Sequence, residues 1–292
     1  MADEHKDIDP VTGIATTGHD WDGIHELNTP LPRWWLWTFY ACIVWAVGYW
    51  IVYPAWPLLT TSTQGITAWH ARSAVVGDLD ELTALRGPMM VKLTNASVGD
   101  IVKDPQLMDF ARAVGRSAFA NNCAPCHGAG GGGGRGYPNL NADAWLWGGK
   151  IAEIEQTIRH GARSGDPKDH EGNMPAFGRD GILKADQISA VADFVRSLSG
   201  LSTEKGADLV LGKKVFADNC TVCHGSEGKG NQEIGAPNLT DKIWLYGPEK
   251  ETIMQGIQNG RGGTMPAWEG RLSEPVIKAL AVYVYSFGGG EK

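Results

Sequence analysis

The chain has 292 residues, a formal net charge of −7, 42% apolar residues and five cysteines. That length allows two domains of ordinary size or one large one. No part of it carries the basic stripe that nucleic-acid binding requires, which excludes that class, and four of the cysteines fall in two copies of one motif, which argues against a disulfide framework.

Residues 1–33 carry seven acids against Lys6 and Arg33, a local charge of −5. From Trp34 to Pro57 the sequence runs WWLWTFYACIVWAVGYWIVYPAWP, 24 residues without a charge. A bilayer core needs roughly 20 apolar residues in a helix, so residues 34–57 read as one transmembrane helix in contact with membrane lipid. Trp34, Trp35, Trp37 and Tyr40 gather at one end and Trp50, Tyr53 and Trp56 at the other, as expected where amphipathic rings settle at the two headgroup layers. Pro54 and Pro57 should end the helix, because proline lacks the amide donor and clashes with the preceding turn. A cleavable signal peptide would begin with a short basic segment; polar, acidic residues precede this run instead, so it reads as a retained anchor. Arg33 borders the run, whereas Arg72 lies 15 residues beyond Pro57. Positive charge favours the cytoplasmic side, which points to a cytoplasmic N-terminus and a translocated C-terminal bulk. Cys42, inside the run, is expected to pack there as a small hydrophobe.

Residues 58–104 fit neither anchor nor repeat. Their polarity is mixed, Gly87 and Pro88 interrupt them, and they read as a linker or as a docking segment for a partner subunit.

Residues 105–200 and 201–292 are two copies of one all-helical domain. RSAFANNCAPCHG aligns with KKVFADNCTVCHG, Pro-Asn-Leu at Pro138 with the same triplet at Pro237, WLWG at Trp145 with WLYG at Trp244, and MPAF at Met174 with MPAW at Met265. Each copy predicts a lead-in helix (residues 111–121; 207–219), a middle helix (151–159; 250–258) and a closing helix (184–198; 273–287). In the first closing helix Ile188, Val191, Ala192 and Val195 recur at helical spacing and make one apolar face. The copies are near neutral, with ten acids against ten bases in residues 105–200 and a charge of −1 in residues 201–292. A domain of about 90 residues with few large aliphatics has difficulty burying enough apolar surface alone, so a cofactor should complete each core.

The motifs name that cofactor. Cys-x-x-Cys-His at Cys123, Cys126 and His127, and again at Cys220, Cys223 and His224, is the spacing of covalent c-type haem attachment: two thiols for the porphyrin vinyl groups and an imidazole for the iron. Two haems are therefore expected. Zinc would want four ligands per site and each copy offers three. A redox-active cysteine pair would need a βαβ setting that neither copy has, and the glycine run after Gly128 follows no strand, so it is no dinucleotide fingerprint but a flexible loop over the haem edge. Of seven methionines, only Met174 and Met265 recur at matched positions, 47 residues after His127 and 41 after His224. Each is the candidate sixth ligand, and thioether sulfur raises the reduction potential of a haem iron. Each most simply serves its own copy, while exchange between copies stays open at this level. His5, His19, His25, His160 and His170 lack matched ligand counterparts. Arg163 and Arg261, just before the methionine loops, suit either haem propionates or solvent.

With both axial positions filled, electrons pass through the haem edge and no site remains for a small-molecule substrate; the chain reads as a membrane-tethered two-station electron relay. Its N-terminal stretch HDWDGIHELNTPLPRWWLWTFYACIVWAVGYWIVYPAWP, followed by two NCxxCHG modules, resembles the diheme c-type subunit (subunit III, the FixP/CcoP family) of cbb3-type cytochrome c oxidases. The resemblance covers nearly the whole chain, and the DGIxELNxPLPRWW entry to the span sets it apart from other tandem cytochromes. It implies a non-catalytic subunit of a terminal oxidase in the bacterial inner membrane, working at low oxygen. It also implies periplasmic haem domains, a donor cytochrome c, and as partners a catalytic haem-copper subunit and a monohaem cytochrome subunit. Rival readings are a cytochrome subunit of a periplasmic dehydrogenase, a diheme peroxidase, which would need an open iron site, and a gas sensor, which would need an output domain.

Overall fold

The computed structural model describes residues 7–290; His5 and Lys6, used above, lie outside them. It divides into two units, Met1–Ala84 and Leu85–Lys292, each taken by itself.

In the first unit, strands β1 (Thr16–Trp21) and β2 (Ile24–Leu27) form an antiparallel hairpin in which Trp21 faces Ile24. Asp22 and Gly23 both take positive φ, 55° and 89°, the backbone a two-residue hairpin turn of matching twist demands. Helix α1 (Arg33–Val52) follows, with no buried residue and a mean hydropathy of 1.5 over its most apolar window. A helix apolar on every side and covered by no protein suits lipid. Cys42 is exposed on it, like the rest of the helix, and within this chain it packs into no core. The helix stops at Val52, short of Pro57, because Tyr53 is extended (φ −116°, ψ 160°) and a residue preceding proline is barred from the α region. The chain then returns to close the helix end: Ile66 N–H donates to Ile51 O at 3.0 Å and the Thr67 hydroxyl to Val52 O at 2.7 Å, satisfying carbonyls that would otherwise be orphaned.

Helix α2 (Ala71–Asn95) runs unbroken through Gly87 and Pro88, a correction to the interruption expected there. Proline removes one backbone bond, but good helix formers surround it, from Leu82 to Arg86 before and Met89 to Leu93 after.

The second unit carries α3 (Val98–Lys103), α4 (Pro105–Asn122), α5 (Ala124–His127), α6 (Ile151–His160), α7 (Ala185–Leu198), α8 (Leu209–Asn219), α9 (Thr221–His224), α10 (Lys250–Asn259) and α11 (Glu274–Tyr285). Each expected helix is present with its ends moved by a few residues. Asp104 starts α4 by accepting from the N–H groups of Gln106 and Leu107 at 3.0 and 3.2 Å, with Pro105 in the first turn, a strong N-terminal signal.

The packing does not follow the repeat. Leu107, Ala111, Gly115 and Phe119 line one face of α4, and the helix seated on it is α11, the closing helix of the second copy. A Cβ at Gly115 would meet Ala279 O and lie 2.6 Å from Tyr283 Cβ, and Phe119 meets Tyr283 and Phe287 with ring centroids 5.5 Å away. Reciprocally, α7, the closing helix of the first copy, packs on α8: a Cβ at Gly212 would meet Ala190 O and lie 2.9 Å from Phe194 Cβ, and Phe194 and Phe216 stand 5.3 Å apart. The copies have traded their closing helices. One core therefore combines α4, α6 and α11 with Leu93, Val98 and Ile101; the other combines α7, α8 and α10. Burying Phe119 or Phe216 contributes about 1.5–3 kcal/mol each.

Candidate cofactor-binding site

Each Cys-x-x-Cys-His motif forms a single helical turn directly behind a longer helix: Cys123 caps α4 and opens α5, and Cys220 caps α8 and opens α9. The chain then loops so that Gly133 N–H donates to His127 O at 2.7 Å and Leu140 N–H to Gly131 O at 2.7 Å. The second copy repeats this with Gly230 to His224 O at 2.8 Å and Leu239 to Gly228 O at 2.7 Å. The glycine run, expected as a flexible loop, folds here as a hydrogen-bonded turn with the Phe287 ring lying against Gly131.

These loops deliver a residue that sequence reasoning used only as an alignment mark. His127 Nδ1 lies 3.1 Å from Pro138 O, and His224 Nδ1 lies 3.0 Å from Pro237 O. A carbonyl only accepts, so each Nδ1 carries the proton and each Nε2 keeps its lone pair. Partners of this kind orient ligating histidines and fix their tautomer. The twice-repeated Pro-Asn-Leu was the available signal. Burial holds both imidazoles below the ordinary histidine value, against the opposing effect of the carbonyl bond, which keeps them neutral ligands near pH 7.

The thiols suit covalent attachment better than chelation or redox exchange. Burial, aided by the neighbouring thiols Cys126 and Cys223, pushes Cys123 and Cys220 up to about 11, opposite to the depressed values of redox-active pairs. Among the described residues, the one group of three or more His, Cys, Asp or Glu ligand atoms within 4.8 Å of one another is His160, Asp166 and Glu269. The donors of the two Cys-x-x-Cys-His turns do not converge on a point, as a zinc ion would need.

Between the two cores lies a cavity of about 1940 Å³ lined by Cys123, His127, Met174, Cys220, His224 and Met265, with Trp145 and Trp244 in its walls. Pockets for single small ligands or cofactors hold roughly 300–1,000 Å³, so this space is on the scale of two. The donor set and the apolar walls fit covalently bound haem.

The structure brings all eight sequence-predicted site residues to this cavity, but Met265 packs against the core that holds Cys123, and Met174 against the core that holds Cys220. That reverses the pairing sequence order suggests, because each methionine loop leads into a traded helix. Arg163 donates to Gly263 O and Gly172 O, each at 2.5 Å, and sits 5.7 Å over the Trp147 ring; Arg261 sits 4.1 Å over Tyr246 and donates to Thr252 O at 3.2 Å. Both line the cavity, so neither is a purely solvated loop residue. His160 is buried with Nδ1 at 3.0 Å from Asp166. His170 stacks on Trp147 at 4.3 Å and reaches the Thr157 hydroxyl at 3.0 Å.

Comparison with known proteins agrees along the chain. Residues 13–60 match the N-terminal domain of cytochrome oxidase-cbb3, FixP; residues 113–199 match cytochrome c; residues 207–284 match cytochrome c oxidase, cbb3-type, subunit III. Relatives include the cbb3-type cytochrome c oxidase subunit FixP of Bradyrhizobium diazoefficiens, 58% identical over 99% of both chains. The FixP of Azorhizobium caulinodans is 59% identical over 98% of this chain and 97% of its own. The cbb3-type subunit CcoP of Cereibacter sphaeroides is 46% identical over 94% and 95%. With an exposed apolar helix ahead of two tandem cytochrome c domains, and relatives of this identity over its full length, the chain belongs to the FixP/CcoP family, the membrane-anchored cytochrome c subunit III, not the catalytic subunit, of cbb3-type cytochrome c oxidases.

Proposed function

We propose that this subunit carries two covalent c-type haems, attached at Cys123/Cys126 and Cys220/Cys223, and relays electrons from a donor cytochrome c to the catalytic haem-copper subunit of the oxidase. The observation that carries the reading is the matched pair of histidines, each fixed through Nδ1 by a proline carbonyl with Nε2 free for iron. When bound, each haem supplies a one-electron iron couple, which imidazole and thioether ligation raises in potential. The protein's own part is positional. His127 and His224 would hold the irons through neutral nitrogen, Met174 and Met265 would supply thioether sulfur, and the apolar walls would keep water away from the cofactors. The single span holds both modules beside the membrane, with the N-terminus cytoplasmic and the haem modules periplasmic, next to the catalytic subunit and a monohaem cytochrome subunit.

Purifying the chain from membranes tests this. The expected preparation contains a haem-copper subunit, and the mature chain carries two porphyrin masses and a ferric spectrum that is low-spin throughout. Replacing Cys123 and Cys126 by alanine should remove one porphyrin and abolish turnover with reduced cytochrome c while the catalytic subunit still reacts with small-molecule reductants. A mature chain without porphyrin mass would overturn the reading.

A further inference from the structure

The end of α6 and the end of α10 are equivalent by repeat but differ in chemistry. His160, the last residue of α6, is matched by Asn259, the last of α10. Glu269, just after Met-Pro-Ala-Trp, is matched by Gly178, just after Met-Pro-Ala-Phe, and Asp166 lies in a loop (residues 161–173) far longer than its counterpart (residues 260–264). An imidazole and two carboxylates therefore meet at one helix end, while the other closes without any of them. His160 Nδ1 lies 3.0 Å from Asp166 Oδ1 and 3.7 Å from Glu269 Oε2, and one donor atom from each residue falls within 4.8 Å of the others. Ligands about 2.0 Å from a tetrahedral zinc ion stand roughly 3.3 Å apart, which the two measured separations bracket. The single Nδ1 proton can satisfy one carboxylate only, and Glu269 Oε2 is beyond its hydrogen-bond reach. The charge beside them is already engaged: Arg159 holds Glu155 at 2.6 Å and Glu274, and touches the other Glu269 oxygen at 3.4 Å. The donors are also held in place. The Ser164 hydroxyl donates to His160 O at 2.6 Å, Lys168 N–H to Asp166 Oδ1 at 2.8 Å, and Glu269 N–H to Arg159 O at 3.0 Å; bonds of this kind orient metal ligands. His160 is buried, whereas the Glu269 side chain is 51% exposed, which leaves an approach from solvent and room for a water ligand.

We propose that His160, Asp166 and Glu269 form a zinc-binding site, apart from the two Cys-x-x-Cys-His motifs, in which water completes the tetrahedron. Imidazole nitrogen with carboxylate oxygen suits Zn2+, whereas calcium and magnesium call for six or more oxygen ligands. The ion replaces the proton that His160 Nδ1 shares with Asp166, and that proton leaves to solvent. Two ligands come from the first copy and one from the second, so the bound ion links the end of α6 to the loop ahead of α11. Because the ion binds only where the three donors are assembled, its occupancy stabilises the folded junction.

The test uses the full-length chain, purified untagged from membranes, stripped with a chelator and titrated with zinc sulfate in a calorimeter. One zinc ion per chain is expected, and zinc-edge X-ray absorption of the loaded protein should show nitrogen and oxygen at about 2.0–2.2 Å with an imidazole signature. Asp166→Asn and Glu269→Gln, which keep the shape of each side chain, should each weaken binding by at least about tenfold and remove the rise in unfolding temperature that zinc gives the unsubstituted protein. Asp218→Asn, at an exposed carboxylate on α8, should bind as the unsubstituted chain does. Binding of no zinc, or equal binding by all three variants, would overturn the proposal, as would sulfur in the zinc shell, which would place the ion on a cysteine. His160→Gln should abolish binding; since that residue is buried and its loss could disturb folding, the outcome rests on the Glu269→Gln variant, altered at the exposed side.

Discussion

The two cores of the second unit are built on the same helix plan but differ in what they bury. The core around α4, α6 and α11 has fourteen buried apolar residues and draws in Leu93 from the end of α2 with Val98 and Ile101 from α3; the core around α7, α8 and α10 has eight. The smaller one is braced by charge. Lys250, 7% exposed, meets Asp193, 1% exposed, at 2.6 Å and Glu204 at 2.5 Å. The larger core has its ion pairs at the rim, where Arg159 on α6 holds Glu155 and Glu274, and Lys278 donates to Thr94 O and Ala96 O. Equivalent folds thus differ in how many apolar residues they bury and in how deeply an ion pair is set into them, and substitutions of one chemical kind should have unequal effects in the two.

The largest effect is expected for Phe119→Ala, which empties the centre of the larger core: loss of about 3–5 kcal/mol, read by denaturant unfolding of the holoprotein. A loss no greater than that of an exposed substitution would show that haem, and not the α4–α11 contact, carries this core. Next comes Asp193→Ala. Removing one member of a buried pair strands the other, costing on the order of 3–5 kcal/mol, tempered here by Glu204, which still reaches Lys250. If replacing Asp193 proves as mild as replacing a rim carboxylate, the contrast drawn between the cores fails.

Gly115→Ala and Gly212→Ala should each cost about 1–3 kcal/mol by forcing apart a close helix crossing. Since both crossings join different copies, each substitution should also increase carbon monoxide binding to the reduced protein; unchanged binding would mean that the crossings do not govern the axial ligands.

The smallest effect belongs to Glu274→Gln at the rim. With Glu274 side-chain exposure at 41%, solvent screens the pair, and the loss should stay within about 1 kcal/mol. Its sign with pH is definite. The bond from Arg159 is the main cause that holds the Glu274 carboxyl below its ordinary value of 4.5. The stabilisation is therefore fully present above pH 4.5 and lost as pH falls through the lowered value. Glu274→Gln should accordingly flatten the acid limb of the stability profile and leave the neutral region nearly unchanged. A variant that unfolds with the native acid limb would remove Glu274 from the account.

Some features were open to a reader of the sequence and passed unused. Asp22-Gly23 between Trp21 and Ile24 is a two-residue hairpin signal, and it forms one. Pro138 and Pro237 recur beside the haem motifs and turn out to hold the histidines. Pro88 misled in the opposite direction, since local breaking tendency yielded to a long helix whose last turns pack into a core.

The two Cys-x-x-Cys-His motifs, the two-fold repeat, the apolar span and the candidate ligand types follow from local chemistry: thiol and imidazole spacing within one turn, helical periodicity, and an uncharged run of bilayer length act over a few residues and can be read along the chain. Which closing helix seats on which lead-in helix was decided only in three dimensions. Gly115 and Gly212 sit at equivalent places and would admit either partner by sequence, and the segments that join methionine loop to helix are the same in kind. The choice rests on contacts such as Phe119 with Tyr283 and Asp193 with Lys250, which link residues more than fifty positions apart and have no signature in either repeat alone.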